Sequence, residues 1–226
     1  MRNVGDSAIA IFLGNKIDEE INDKVLIVAK KIEDKKIKGI IEVVPTYTSV
    51  YIYYDPLEAN YKEIISKIQE IVKSVAKVRE KIKTRTIQIP VAYGGDFGPD
   101  LEFVAKYHNM TEDEVIEIHS KPLYRVYMLG FTPGFAYMGG LDKRIATPRL
   151  KMPRKKVPAG SVGIAGEQTG IYPIESPGGW RIIGRTPLKL FDPRKEPPTL
   201  LLPGDRVKFV PIDHEEFYEF LEEENK

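Results

Sequence analysis

The sequence contains no cysteine. That excludes disulfides, thiolate nucleophiles and cysteine-ligated metals. There is one tryptophan, Trp180, and there are three histidines, His108, His119 and His214. No two of them stand at the i, i+4 spacing of a helical zinc site, and no metal is expected. All three lie in charged, helix-like surroundings and are expected on the surface. Neither sign of charge dominates, with 34 lysines and arginines against 33 aspartates and glutamates. This balance gives no global attraction to nucleic acid. No apolar run is long enough to span a bilayer, and the opening MRNVGDSAIAIFLG is too short in apolar residues for a signal peptide. The expectation is a cytoplasmic protein with no membrane partner. No Gly-rich loop leads into Lys-Ser or Lys-Thr, no G-x-G-x-x-G opens a helix, and G-x-S-x-G is missing. Ser161 and Ser176 have no histidine base near them in sequence, so no catalytic residue is assigned.

What is present begins with enough material for a core. The chain has 226 residues, of which 42% are hydrophobic, which suits one large or two small domains. Abundant Lys, Glu and Ile without Cys is the composition expected of a thermophile. SAIAIFL reads as a strand. Ile21, Val25, Val28 and Ile32 recur at helical spacing. IIEVV and SVYIYYD read as two strands. Ile64, Ile68, Ile71, Val75, Val78 and Ile82 make the stripe of a long second helix. Ile87, Ile89, Val91 and Tyr93 alternate with polar or small residues, as a half-buried strand does. The order β-α-β-β-α-β suits a ferredoxin-like α/β sandwich with both helices on one sheet face. The last of these strands has an alternative place in the following domain.

GGDFGPD marks a turn cluster, and two short helices follow, around 101–108 and 112–119. Thr111 and Glu114 have capping-box spacing. The second helix is acidic and would repel phosphate, so a DNA-binding helix pair is not expected. From Pro122 helical periods vanish. Short apolar runs (YRVYMLGF, SVGIAG, GWRIIG, LKLF, TLLL and RVKFV) alternate with Gly and Pro, as in an all-β barrel or sandwich. PGDRV reads as a tight turn between two strands, and DHEEFYEFLEE as a closing helix.

Three loop-like segments of this half share one character. GFTPGFAYMGG carries Phe131, Pro133, Phe135 and Tyr137. ATPRLKMPRKKVPAGSVG carries Arg149 and Arg154 among lysines and prolines. AGEQTGIYPIESPGGWRIIGRT carries Gln168, Thr169, Tyr172, Glu175, Trp180 and Arg185. Glycines allow close backbone approach, aromatics supply an apolar floor, and the polar groups give direction. Each residue alone fits turn-rich scaffold better than a site. Their density in three consecutive segments points to a substrate- or partner-binding site.

These same segments, with LLPGDRVKFVPI and, in the first half, GDSAIAIFLG, EVVPTYTSVYIYYDP and IPVAYGGDFGPDLEFVAKYHNMTEDEVIEIHS, resemble the B subunit of the prokaryotic ATP-dependent 5-oxoprolinase. That family is also known as the KipI kinase-inhibitor family and as allophanate hydrolase subunit 1. The resemblance runs over nearly the whole chain. Ala92 departs from it, since relatives often carry cysteine there, which argues against an obligatory thiol. The resemblance implies an α+β protein with an N-terminal ferredoxin-like α/β domain over 1–84 and a C-terminal cyclophilin-like β-barrel over 85–226. It implies the C and A subunits of 5-oxoprolinase as partners, and ATP, bound by the chain or only within the complex. Together they would hydrolyse 5-oxoproline to glutamate, this chain being silent alone. It also implies an alternative, a binding module that inhibits a sensor histidine kinase. Arg149, Arg154 and Arg185 are then the candidates for anionic groups. Phe131, Phe135, Tyr137, Tyr172 and Trp180 would line a pocket, and Gln168, Thr169 and Glu175 would orient the substrate.

Overall fold

A computed structural model describes residues 1–76, 82 and 84–224. The chain divides into two compact units, Met1–Lys83 and Thr84–Lys226.

The first unit runs β1 (Arg2–Asn3), β2 (Ala8–Phe12), α1 (Glu19–Asp34), β3 (Ile40–Pro45), β4 (Ser49–Tyr54) and α2 (Tyr61–Ala76). Its strands form one antiparallel sheet in the order β1-β2-β4-β3. Side chains two apart share a sheet face. Ile9 and Ile11 of β2 and Val50, Ile52 and Tyr54 of β4 therefore meet the stripes of both helices in one core. That core takes Val25, Val28 and Ile32 from α1 and Ile64, Ile68, Ile71 and Val75 from α2. Asp18 starts α1 by accepting hydrogen bonds from the Glu20 and Ile21 amides at 3.0 and 3.3 Å. This satisfies donors that a helix start leaves unpaired. Buried Asn22 donates to the Thr46 and Tyr47 carbonyls at 3.1 and 3.4 Å and so ties α1 to the β3–β4 turn. Val78 lies outside the described residues, and Ile82 sits in no regular element.

The second unit contains β5 (Thr86–Tyr93), α3 (Leu101–Tyr107), α4 (Glu112–Ser120), β6 (Tyr124–Leu129), β7 (Ala136–Gly139), β8 (Arg154–Val157), β9 (Ser161–Ala165) and β10 (Gln168–Ile171). It ends with β11 (Ser176–Gly178), β12 (Arg181–Arg185), β13 (Arg206–Ile212) and α5 (His214–Glu224). Seven strands close a barrel in the order β10-β7-β6-β13-β5-β12-β9, and β9 pairs back onto β10. The strand at 86–93 thus belongs here and not to the first sheet. β5 and β13 run parallel through seven paired positions, while the other neighbours are antiparallel. Pro90 and Pro211 sit inside these two strands. β5 meets β12 only at Ala92 and Tyr93, and β13 meets β6 only at Arg206 and Val207. Each proline therefore stands where one side of its strand has no ladder partner, so its missing N–H costs nothing. Inward residues such as Ile89, Val91, Val126, Met138, Val162, Ile164, Ile171 and Phe209 fill the barrel, and Leu101, Val104 and Val115 bring α3 and α4 onto that core. The capping box at Thr111 and Glu114 is formed.

Three expectations need correction. LKLF and TLLL form no strands, only the bridge Phe191–Thr199. The barrel already closes on seven strands, and Leu190 and Leu201 are buried in its core instead. PGDRV accordingly leads into β13 without a strand before it. His119 is not a surface residue. It is 0% exposed and stacks on Phe209 at 4.6 Å. Finally, the segments expected as open loops carry β7 and β10 of the barrel and the β8–β11 pair.

Candidate functional site

The strands hidden in those segments decide which side chains meet. Along β7 and β10 alternate residues face in and out. Ala136, Met138 and Ile171 are in the barrel core. Tyr137 and Tyr172 have the opposite parity and face outward. Gly170 shares that outward parity and pairs across the ladder with Gly163. The two glycines leave a bare patch of barrel wall. A Cβ at Gly170 would lie 3.0 Å from Trp180 Cζ3 and 3.1 Å from Phe135 Cζ, so the aromatic rings lie directly on backbone.

On this patch Phe135 forms the hub of an aromatic cluster. Tyr137, Tyr172 and Trp180 stand edge-on to it at 5.0, 5.3 and 5.4 Å between centroids. Edge-to-face pairs of this kind favour one fixed arrangement. Phe131 reaches over from the rim, 5.5 Å from Phe135 and 62% exposed. Its φ is +65°, in the left-handed region that a bulky residue rarely occupies. Above the cluster lies a cavity of about 320 Å³ lined by Phe131, Phe135, Tyr137, Arg149, Tyr172 and Trp180, with Pro153, Pro177, Gly178 and Gly179 completing the wall. Arg149 holds its guanidinium 5.8 Å from the Trp180 ring, and it has no carboxylate partner among the described residues. Burial raises the Tyr172 hydroxyl above its ordinary pKa, opposed by a hydrogen bond from the Trp180 backbone and by the charges of Arg149 and Arg154. Tyr172 is therefore a neutral wall residue at physiological pH.

The other expected residues lie elsewhere. Arg154 is paired with Asp100, Nη2 to Oδ1 at 2.9 Å. Arg185 donates from Nε to the Ala159 carbonyl at 2.8 Å. Glu175 forms an exposed pair with Lys156 at 2.9 Å. Pro133 is exposed on the Phe131 loop, and Gln168 opens β10; neither lines the cavity. Thr169 has inward parity and is buried inside the barrel, where it contacts His119 Nε2 at 2.9 Å and donates to the Gly163 carbonyl at 3.1 Å. Six of the expected residues thus converge, with one uncommitted cation. Such a cavity suits a small, largely apolar ring that carries an anionic group.

The sequence as a whole identifies the family. A family model described as Carboxyltransferase domain, subdomain C and D, matches residues 1–201. A 5-oxoprolinase B subunit of Bacillus subtilis (strain 168) is 48% identical over 235 residues, which cover 100% of this chain and 98% of that protein. This chain belongs to the 5-oxoprolinase B-subunit family. The crystal structure of a conserved uncharacterized protein from Pyrococcus horikoshii is 62% identical to it, with a TM-score of 0.58, and covers 95% of this chain and 98% of that one. The Kluyveromyces lactis urea carboxylase shares the fold at 23% identity and a TM-score of 0.78. That likeness covers 98% of this chain and 22% of the carboxylase.

Within this family member, sequence reasoning missed Pro153, Pro177, Gly178 and Gly179 as wall residues. SPGGW, next to the tryptophan, held the signal for three of them. Among the described residues no group of three His, Asp or Glu is placed to hold a metal ion, and no helix is long and apolar enough to cross a membrane.

Proposed function

We propose that this chain is the B subunit of an ATP-dependent 5-oxoprolinase and that its aromatic cavity receives 5-oxoproline. The observation that carries the reading is the end-to-end similarity to a 5-oxoprolinase B subunit. The cavity supports it. The lactam ring is small and flat enough to lie against Phe135 and Trp180, and its carboxylate has a partner in Arg149. A guanidinium can grip a carboxylate with two parallel hydrogen bonds. A lactam carbonyl is a weak electrophile, and phosphorylation of its oxygen makes it a better one. In sum, 5-oxoproline, ATP and two waters give glutamate, ADP and phosphate. The tasks left to this chain are to bind the ring, to orient the carboxylate and to exclude water from the apolar face. Arg149 is the one lining guanidinium without a carboxylate partner among the described residues, and a nucleoside triphosphate requires more cationic groups than that. We place ATP on the assembled complex, which comprises the C and A subunits as well and works in the cytoplasm.

The two compact units fit the ferredoxin-like domain expected over 1–84 and the cyclophilin-like barrel expected over 85–226. A sheet with two helices on one face supports the first reading, and a closed seven-stranded barrel the second. The rival reading, a module that grips a sensor histidine kinase, is the less favoured one, because the curated relatives at 39–48% identity carry the name of the hydrolase subunit. Reconstitution tests the proposal. ATP-dependent glutamate release should need this chain together with the C and A subunits, and this chain alone should release none. An unchanged rate when it is omitted would refute the assignment.

A further inference from the structure

Asp100 stands just before α3, where an aspartate ordinarily caps its own helix. Its side chain makes no capping hydrogen bond. It reaches across to β12 instead. Oδ2 accepts from the Ile182 amide at 2.7 Å, and Oδ1 accepts from Arg154 Nη2 at 2.9 Å. Arg181 Nη1 lies 3.6 Å from the same Oδ1. The carboxylate is only 7% exposed, so salt and water screen these charges little.

Both arginines lead to the cavity. Arg154 Nη1 donates to the Trp180 carbonyl at 3.4 Å. Arg181 lays its guanidinium 3.6 Å from the centre of the Phe103 ring and donates from Nε to the Pro148 carbonyl at 3.4 Å. On the far side of Arg149, the Leu150 amide donates to the Gly179 carbonyl at 2.7 Å. The backbone around Arg149 is therefore tied on one side to Arg181 and on the other to the residue before Trp180. One buried carboxylate holds the residues that fix both members of the Arg149–Trp180 pair.

We infer that Asp100 is a positioning residue of the candidate site: it locks Arg154 and Arg181, and through them sets Trp180 and the Arg149 loop against each other. Asp100→Asn keeps the shape and removes the charge. The amide oxygen still accepts from Ile182, but the NH2 group then faces Arg154, donor against donor. Two half-buried guanidinium groups then lose the buried counter-charge that holds them.

The first arm of the test needs no ligand. Acrylamide quenching of Trp180, the sole tryptophan, is measured on the free folded chain. Asp100→Asn should raise the quenching constant. Asp205→Asn removes an equally buried carboxylate that pairs with Arg85 outside the cavity; it should lower stability and leave the quenching constant at its wild-type value. Equal quenching in wild type and Asp100→Asn, or an equal rise in the Asp205 control, overturns the inference. Should Asp100→Asn not fold, Arg181→Gln carries the same comparison, because it leaves the Asp100–Arg154 pair in place.

The second arm rests on the reading of the cavity as the 5-oxoproline site. In the reconstituted enzyme Asp100→Asn should raise KM for 5-oxoproline about tenfold with kcat nearly kept, as for a lost charged hydrogen bond. In an Arg149→Ala background it should add little, because it acts through Arg149. A full additive loss overturns the route through Arg149. A wild-type complex that does not turn over 5-oxoproline refutes the substrate reading instead, and the quenching arm still decides the role of Asp100.

Discussion

Replacing His119 by glutamine should flatten the acid limb of the barrel unit's stability. The imidazole is buried in a chain of hydrogen bonds. Thr169 donates to the Gly163 carbonyl at 3.1 Å, so its oxygen accepts from His119 Nε2 at 2.9 Å, and Nδ1 accepts from the Tyr93 hydroxyl at 2.8 Å. These partners suit the neutral ring, and burial pushes its pKa from 6.5 down to about 3. The sign follows from which state binds the proton first. Between pH 6.5 and about 3 the unfolded chain is protonated here and the folded chain is not. The contribution is therefore complete above pH 6.5 and is lost as the pH falls through that window. At ~1.4 kcal/mol per pH unit the full loss is on the order of 5 kcal/mol, with about 2 kcal/mol gone by pH 5. Glutamine can donate to Thr169 and accept from Tyr93 but has no proton to gain. It forfeits the stacking on Phe209 and so starts from a lower stability at pH 7. Guanidinium unfolding followed by Trp180 emission reports on this unit alone. Wild type should lose about 2 kcal/mol more than His119→Gln between pH 7 and pH 5. Parallel losses in the two proteins would refute the argument.

Further outcomes follow from the same structure. Gly170→Ala places a methyl group 3.0 Å from Trp180 and 3.1 Å from Phe135, so it should shift Trp180 emission and weaken 5-oxoproline binding; an unshifted spectrum would show that the rings do not rest on this strand. Thr111→Ala removes half of the capping box that starts α4 and should cost about 1 kcal/mol in chemical denaturation. Arg185→Lys should leave KM for 5-oxoproline unchanged, because its guanidinium serves the Ala159 carbonyl; a raised KM would return Arg185 to the site.

The sequence carried the first unit well because its signal is periodic. Ile21, Val25, Val28 and Ile32 sit one helical turn apart, and Val25, Val28 and Ile32 reach the shared core. The strand at Ile87–Tyr93 was equally plain, but its sheet was not, since alternation does not say which neighbour a strand will find. The barrel half was legible in texture more than in detail. AYMG and QTGI are four-residue strands, too short to stand out beside Gly and Pro. That blurred the site. Once β10 is known, its parity sends Thr169 inward and Tyr172 outward. The aromatics were legible because few other roles gather so many rings around glycine. Of the three arginines only Arg149 reaches the cavity. Arg154 and Arg185 are charged and near the cavity in sequence, yet only the fold shows that Asp100 and the Ala159 carbonyl already hold them. His119 gave no sign of burial, as it stands in an acidic helix and its partners are 26 and 50 residues away.

The most direct test of the central claim, that the aromatic cavity of this chain holds 5-oxoproline by its carboxylate, is the steady-state kinetics of Arg149→Ala in the complex reconstituted with the C and A subunits. Arg149 is the lining cation without a carboxylate partner among the described residues, 5.8 Å from the Trp180 ring. Loss of one charged hydrogen-bonding partner should raise KM for 5-oxoproline about 10- to 100-fold while kcat changes little, because the carboxylate is held alike in the ground and transition states. Wild-type KM in this variant, or a fall in kcat with KM unchanged, would contradict the account.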